Sequence, residues 1–291
     1  MLKLSTQKQI CPQNTHCHFH KGLYMHYFKK ILLILCGCTS ILQVTAEPNL
    51  NNVPLCNPNL AEGQKCYLNS LTILKSGQFN FGEQYVNGWV DKYKNMPIES
   101  YQQILDKQSF PIIVAPNQQM FLADGHHRLR ATAKMAELQH HTYRIYLQIF
   151  KKFPQNNSLQ AENSFWQWMY QSKNIWLIDE GVSRNRQYLP TSILKTTNDK
   201  YRTLTGWLME AGWCYDAKYE SSVNYIEFYW SDYFRNLAKN GKIKAYTDPN
   251  PTTTKGLKDE YEYLNYIKST GLCHAPAANG LPGYCKTDHC S

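Results

Sequence analysis

The chain has 291 residues, 43% of them hydrophobic and only 18% charged, with 21 Tyr, 11 Phe and 7 Trp. That is enough apolar material for one large domain or two small ones, and it excludes wholesale disorder. The net charge of +9 is unevenly placed: Lys3, Lys8, Lys21, Lys29 and Lys30 supply five charges before residue 47 with no acid among them, which leaves +4 for the remainder. So modest a charge fits a local basic site and does not require a polyanion partner.

Residues 1–46 have the layout of an export leader. Met25 opens a second plausible start, followed by Lys29-Lys30 and then Ile31–Leu35. A short basic region before an apolar one is the pattern of a secretory signal. The apolar stretch Ile31–Val44 falls short of the roughly 20 residues that a membrane helix needs. Val44-Thr45-Ala46 offers the small residues of a signal-peptidase site before Glu47, whereas Leu35-Cys36-Gly37-Cys38 resembles a bacterial lipobox that would lipidate Cys38. Both cleavage modes stay open. Residues 1–24 lack an apolar period and fit an upstream start codon that translation does not use. The expected location is outside the cytoplasm: periplasmic, envelope-anchored or secreted, with membrane contact only through the leader or a lipid.

Cysteine usage agrees with export. Of ten cysteines, six lie beyond the leader: Cys56, Cys66, Cys214, Cys273, Cys285 and Cys290. An even number in an exported chain predicts disulfides, and Cys56 with Cys66 makes a natural local loop. Cys273-His274, Cys285 and His289-Cys290 also supply soft metal ligands, but their spacing lacks the paired two-residue gaps of common zinc modules.

Residues 47–65, rich in Asn and Pro, form an extended lead-in. Cys66–Leu74 fits a first strand. Val86, Trp89, Val90 and Tyr93 fall on one helix face, and Ile98–Lys107 is a second short helix. Pro111–Val114 and Met120–Leu122 are strands flanking a Pro116-Asn117 turn. Asp124 is a fitting N-cap for the helix that follows, with Leu129, Ala133 and Ala136 as its inward stripe. A strand over Thr142–Phe150, a helix over Ser158–Gln171 and a short strand over Asn174–Ile178 come next. Leu204, Trp207, Leu208 and Ala211 then mark one amphipathic helix, and Ile226–Leu237 another. A last helix is expected over 257–270. The expected fold class is α+β, mainly helical toward the C terminus. Its divisions are 66–180 for the mixed domain, 181–270 for a helical extension packed on it, and 271–291 for a cysteine-containing tail.

The segment that carries chemistry is Asp124-Gly125-His126-His127-Arg128. A strand delivers the chain to Asp124, and Gly125 leaves room for close backbone approach. The next three amides fall in a first helical turn, where they lack intrahelical acceptors and the positive dipole end attracts an anion. Arg128 can add a bidentate contact to the same anion. His126 and His127 can move a proton or ligate a metal, and Asp124 is the nearest carboxylate for a divalent ion. The competing reading is structural: paired histidines that merely cap a helix, and an Arg128 salt-bridged to a neighbour.

Other groups are weaker candidates. Asp179-Glu180 suits a solvated acidic turn better than a metal site, and His140-His141 decorates the turn after the helix. Glu227 and Asp232 on the aromatic helix could face the cleft, but structural roles are expected for both, and the aromatic stripes are core.

Asp124–Arg128 after a short strand resembles the central motif of the ParB/sulfiredoxin fold, and in particular the ParB-like nuclease family. The resemblance extends over Leu71–Gly82, with Gln78 and Gly82 in place, over Pro111–Val114, and over Tyr201–Gly212 and Ile226–Arg235; together it covers about residues 66–238. It implies a ParB/sulfiredoxin-like N-terminal part, with Gly125 and Arg128 as holders of a nucleotide phosphate. His126 stands where sulfiredoxins carry their catalytic cysteine, which excludes sulfinic-acid reduction. No helix-turn-helix like that of the partition proteins follows.

The expected function is therefore an exported nuclease or phosphodiesterase with His126, His127 and Asp124 as catalytic groups. Gly125 and Arg128 would hold the phosphate, and a divalent metal can assist. The alternative is a non-catalytic envelope protein that binds a nucleotide, a nucleic acid or another anion. A phosphate-containing ligand or nucleic acid is the expected partner, and no oligomer is expected.

Overall fold

The computed structural model describes residues 50–210 and 226–247, all of them in one compact unit, Pro48–Ser291. The leader with Cys38, the helix expected over 257–270, the C-terminal tail, and Cys214, Cys273, Cys285 and Cys290 lie outside the described residues.

A five-stranded mixed sheet organises the molecule, in the order β1-β6-β4-β5-β2. Its strands are β1 (Lys65–Leu68), β2 (Leu74–Ser76), β4 (Phe110–Val114), β5 (Met120–Leu122) and β6 (Ile145–Lys152). β4 pairs parallel with β6 and antiparallel with β5. Pro111 is tolerated in this central strand because it sits at its beginning, where its carbonyl still accepts the Ala123 amide at 2.9 Å. The stretch expected as one strand from Cys66 to Leu74 is two. A turn closed by the Leu74 amide on the Leu71 carbonyl interrupts it, and β1 and β2 go to opposite edges of the sheet.

Alternation along β4 splits the core. Ile112 and Val114 face a cluster with Leu68, Leu122 and Leu129, whereas Ile113 faces Phe121, Phe165 and Met169. The second cluster lies under α4 (Leu159–Gln171), whose Ser158 hydroxyl caps the Ala161 amide. The first cluster lies under α3 (His126–Leu138). The expected inward stripe of α3 was too narrow. Leu129 packs toward the sheet, but Ala131 and Met135 are buried on another side, against α1 (Glu83–Tyr93) and α2 (Ile98–Asp106). Ala133 and Ala136 are only partly buried. A helix packed between two layers buries two stripes.

Of the strand expected over Asn174–Ile178, only Ile178 is in a strand. The Trp176 amide makes a single bond to the Gly77 carbonyl at 2.8 Å, and pairing begins only at β7 (Ile178–Asp179) with β8 (Val182–Ser183). Short β3 (Asn80–Phe81) pairs with β9 (Thr197–Asn198), which feeds α5 (Lys200–Glu210). A further helix, α6 (Ile226–Lys239), packs along α5. Thr205 and Ser231 hydroxyls meet between them at 3.0 Å. α5 also lies close on α1, because Gly88 and Gly206 leave space for the rings of Trp207 and Tyr85.

Cys56 and Cys66 are joined in a disulfide, as their spacing predicted. It ties the lead-in to an edge strand across a loop of ten residues. A cross-link this local should contribute about 2–3 kcal/mol by restricting the unfolded chain. Urea unfolding of a Cys56→Ala/Cys66→Ala variant should show that loss. An unchanged midpoint would mean the lead-in holds without it.

Candidate functional site

β5 delivers the chain to Asp124, and α3 starts two residues later. The helix is capped by Gly125, not by Asp124 as expected. Gly125 adopts a left-handed φ of 95°, and the exposed Asp124 uses its Oδ1 to accept the Gly125 amide at 2.6 Å. With the turn wound this way, a carboxylate one residue early cannot reach the first helical turn. The first intrahelical bond runs from the Leu129 amide to the Gly125 carbonyl at 3.0 Å, so the amides of His126, His127 and Arg128 precede it.

The reason for a glycine differs from the one inferred from sequence. A Cβ on Gly125 would lie 2.3 Å from the Phe110 ring, so core packing, and not ligand approach, occupies that space. Gly125→Ala should therefore lower stability by roughly 1–3 kcal/mol through backbone strain, before the contact with Phe110 is added. Thermal unfolding of Gly125→Ala with and without Phe110→Leu separates the two contributions. Phe110→Leu restoring nothing would place the whole cost in the backbone.

The two histidines have different situations. The Gly82 amide donates to His127 Nε2 at 3.1 Å, so His127 carries its proton on Nδ1, and its ring packs edge-on to Tyr85. His126 is 6% exposed, and its Nε2 has no hydrogen-bond partner among the described residues. Gly82 also links this turn to α5: a Cβ there would sit 2.6 Å from the Thr203 nitrogen and 2.9 Å from the Arg202 carbonyl carbon.

Arg202 is the group that sequence reasoning missed. It is 2% exposed, forms an ion pair with Glu227 of α6 at 2.5 Å, and lies 3.4 Å from the centre of the Phe228 ring. Its Nε and Nη1 have no hydrogen-bond partner among the described residues. Glu227 was assigned a structural role, and the structure brings it to this site as the partner of Arg202. Arg202 stands two residues from Leu204 and so faces away from the Leu204–Leu208 stripe, and the local pattern did not mark it as buried.

Electrostatics follow from this arrangement. Burial, then the neighbouring His127 and Arg202, pushes His126 down to about 3. Burial and Arg202 push His127 down to about 4. Burial raises the Glu227 carboxyl, but Arg202 and the histidines outweigh it and hold it below its usual value.

The remaining candidates fall elsewhere. Arg128 is partly buried with its guanidinium 4.8 Å from the Trp89 ring centre, and among the described residues no carboxylate pairs with it. Arg130, by contrast, is structural, donating to the Ile193 carbonyl at 3.0 Å and to Thr196. Asp179 accepts from Asn80 and Arg184, and Glu180 sits in the tight β7–β8 turn. Asp232 shares Arg235 with the buried Asp199. Among the described residues, no three His, Cys, Asp or Glu side chains gather as a metal-binding group.

The pH dependence has a definite sign. The unfolded chain takes up protons at both histidines near pH 6.5, whereas the folded chain resists until about 4 or below. Stability from the neutral imidazoles is thus complete above pH 6.5 and lost as pH falls below it. Asp232 acts oppositely: burial raises it to about 6, so its contribution grows as pH falls from there to its unfolded value. Urea midpoints should decline between pH 6.5 and 4.5, and less steeply in His126→Gln. Equal slopes would show that burial of His126 does not control its protonation.

A family model described as "Putative ParB-like nuclease" matches residues 69–236, well over half of the chain. None of the curated proteins matches. Among solved structures, protein Atu1540 from Agrobacterium tumefaciens is similar at 20% identity, covering 77% of this chain and 98% of its own, with a TM-score of 0.55. That likeness concerns the fold. The family match spans both the Asp124–Arg128 turn and the α5–α6 pair that supplies Arg202 and Glu227, and the chain belongs to the ParB-like nuclease family.

Proposed function

We propose that this protein is an exported phosphodiesterase or nuclease acting at the junction of the α3 turn with α5 and α6. One observation carries the reading: a buried imidazole, His126, with a free Nε2 beside a helix N-terminus and within electrostatic reach of an incompletely partnered arginine. The amides and guanidinium suit a phosphate oxygen, and the free imidazole nitrogen suits a proton transfer. An imidazole titrating near 3 is a weak base at neutral pH. A bound anion would offset the Arg202 charge and lift His126 toward the useful range. His127, with Nε2 committed to Gly82, acts as a positioning residue. Arg128 lies at the rim and can meet a second phosphate or the backbone of a longer strand. Asp124 remains a ligand candidate should a divalent ion take part.

The leader pattern before Glu47 and the Cys56–Cys66 disulfide support an oxidising compartment. The rival reading, a non-catalytic binder of nucleotide, nucleic acid or another anion, draws on the burial of the histidines. A site this closed can hold an anion without turning it over.

Purified protein assayed with phosphodiester dyes, single-stranded and duplex DNA and RNA, across divalent metals, tests the choice. His126→Ala should reduce turnover by roughly 100-fold or more, the scale of general acid–base catalysis. Absence of turnover in the parent protein on every substrate would leave the binding reading in its place.

A further inference from the structure

A second concave feature lies on the face of the sheet that α4 covers, at the end of β5 opposite the motif turn. The β4–β5 turn and the loop entering α4 are tied together by the Asn156 amide, which donates to the Pro116 carbonyl at 3.2 Å, and they frame an open recess of about 220 Å³. Its floor is aromatic: Phe121 of β5 and Phe165 of α4, both buried, with the half-buried Trp166 beside them. Its rim is made of amides, Asn117 and Gln119 on the turn and Asn156 and Asn157 on the loop. Asn117 Oδ1 accepts the Gln119 backbone amide at 3.2 Å and Asn156 Oδ1 accepts that of Ser158 at 2.9 Å, so the carbonyl ends hold the turns and both Nδ2 groups remain as donors. The side chains of Gln119 and Asn157 have no hydrogen-bond partner among the described residues, and each offers a donor and an acceptor. Glu162 is the one charged side chain in the lining, and its Oε1 accepts the Trp166 indole N–H at 3.3 Å, which leaves Oε2.

We propose that this recess binds a hexopyranose, as a free sugar or as the terminal residue of a glycan. An aromatic floor framed by neutral groups that both donate and accept is complementary to a ring with an apolar C–H face and a girdle of hydroxyls, each hydroxyl being donor and acceptor at once. Glu162 takes the strongest hydrogen bond, a charge-assisted one from a sugar hydroxyl. With one carboxylate and no cation among the lining groups, the recess disfavours phosphates and other anions, which sets it apart from the α3 turn. A flat base needs two parallel ring faces to slide between. Here Phe121 meets Trp166 at 84° and Phe165 meets it at 64°, and the Arg186 guanidinium lies 5.4 Å from the indole ring centre. A volume below the roughly 300–1,000 Å³ of sites for drug-sized ligands suits a single sugar ring. The assignment does not depend on the hydrolase reading.

Titration of the full chain with glucose, galactose, mannose and N-acetylglucosamine, and with a disaccharide ending in each, tests this through the NMR signals of the tryptophan indole N–H groups. The Trp166 signal is identified by its loss in Trp166→Phe. A saturable shift of that signal with at least one sugar is expected, and no shift with any of them overturns the proposal. Inorganic phosphate and adenosine are the contrasting probes: a shift with either as large as with the best sugar overturns the assignment to a neutral sugar ring. Glu162→Gln keeps the shape and removes the charge, and it should weaken binding of the best sugar by at least about tenfold, the scale of a charge-assisted hydrogen bond. Asn157 is exposed and without a partner, so Asn157→Ala should leave folding intact and weaken the same sugar by about threefold or more. Affinity unchanged in both variants places the sugar elsewhere and overturns the assignment. A disaccharide bound as tightly as its monosaccharide identifies a glycan end as the source, a disaccharide refused identifies the free sugar, and either result upholds the recess.

Discussion

A buried guanidinium must have a buried anion beside it, and much of the helical half of this protein is arranged around that requirement. Arg202 enters the interior from α5, and Glu227 must meet it from α6. That fixes the relative register of two helices. Toward the other end of α6, Arg235 pairs with Asp199 just before α5 and with Asp232 on its own helix. Hydroxyls of Thr205 and Ser231 bridge the middle. Two ion pairs with small polar residues between them specify one alignment where apolar side chains alone would tolerate several. Such pairs add little net stability, because desolvation offsets the attraction; their effect is on specificity.

The same charge conditions the chemistry on the opposite side of the junction. Burial disfavours a charge on either imidazole and cationic Arg202 adds to it, so the histidines stay neutral across the physiological range. The mixed sheet contributes stiffness here. α3 is held from two sides, by Leu129 against the strands and by Met135 against α1 and α2.

Most of the mixed α/β layer was legible in the sequence because its signals are local. Val86 and Val90 on one face, the Pro111–Val114 run and the helix ending at Gln171 each depend on neighbours a few residues away, and each is found where expected. The misreadings involve long-range packing. Whether Asn174–Ile178 finds a strand partner depends on Gly77, about a hundred residues earlier. Whether Gly125 serves a ligand or a core ring depends on Phe110. The motif turn was recognised from its residue types, but the site was only half seen. Arg202 and Glu227 lie 76 and 101 residues beyond His126, and no local pattern announces that two distal helices bring a charge pair back to the turn. His126 and His127 likewise look equivalent in sequence. Only the Gly82 amide distinguishes them.

Gly82 joins the motif turn to α5. Its amide binds the His127 ring, and a Cβ on it would meet the Arg202–Thr203 backbone. Its carbonyl also accepts the Val86 amide at 3.0 Å as α1 begins. A side chain at this position would have to hold the Arg202–Thr203 backbone farther from the turn, so the closeness of α5 to the motif depends on a residue that has no side chain.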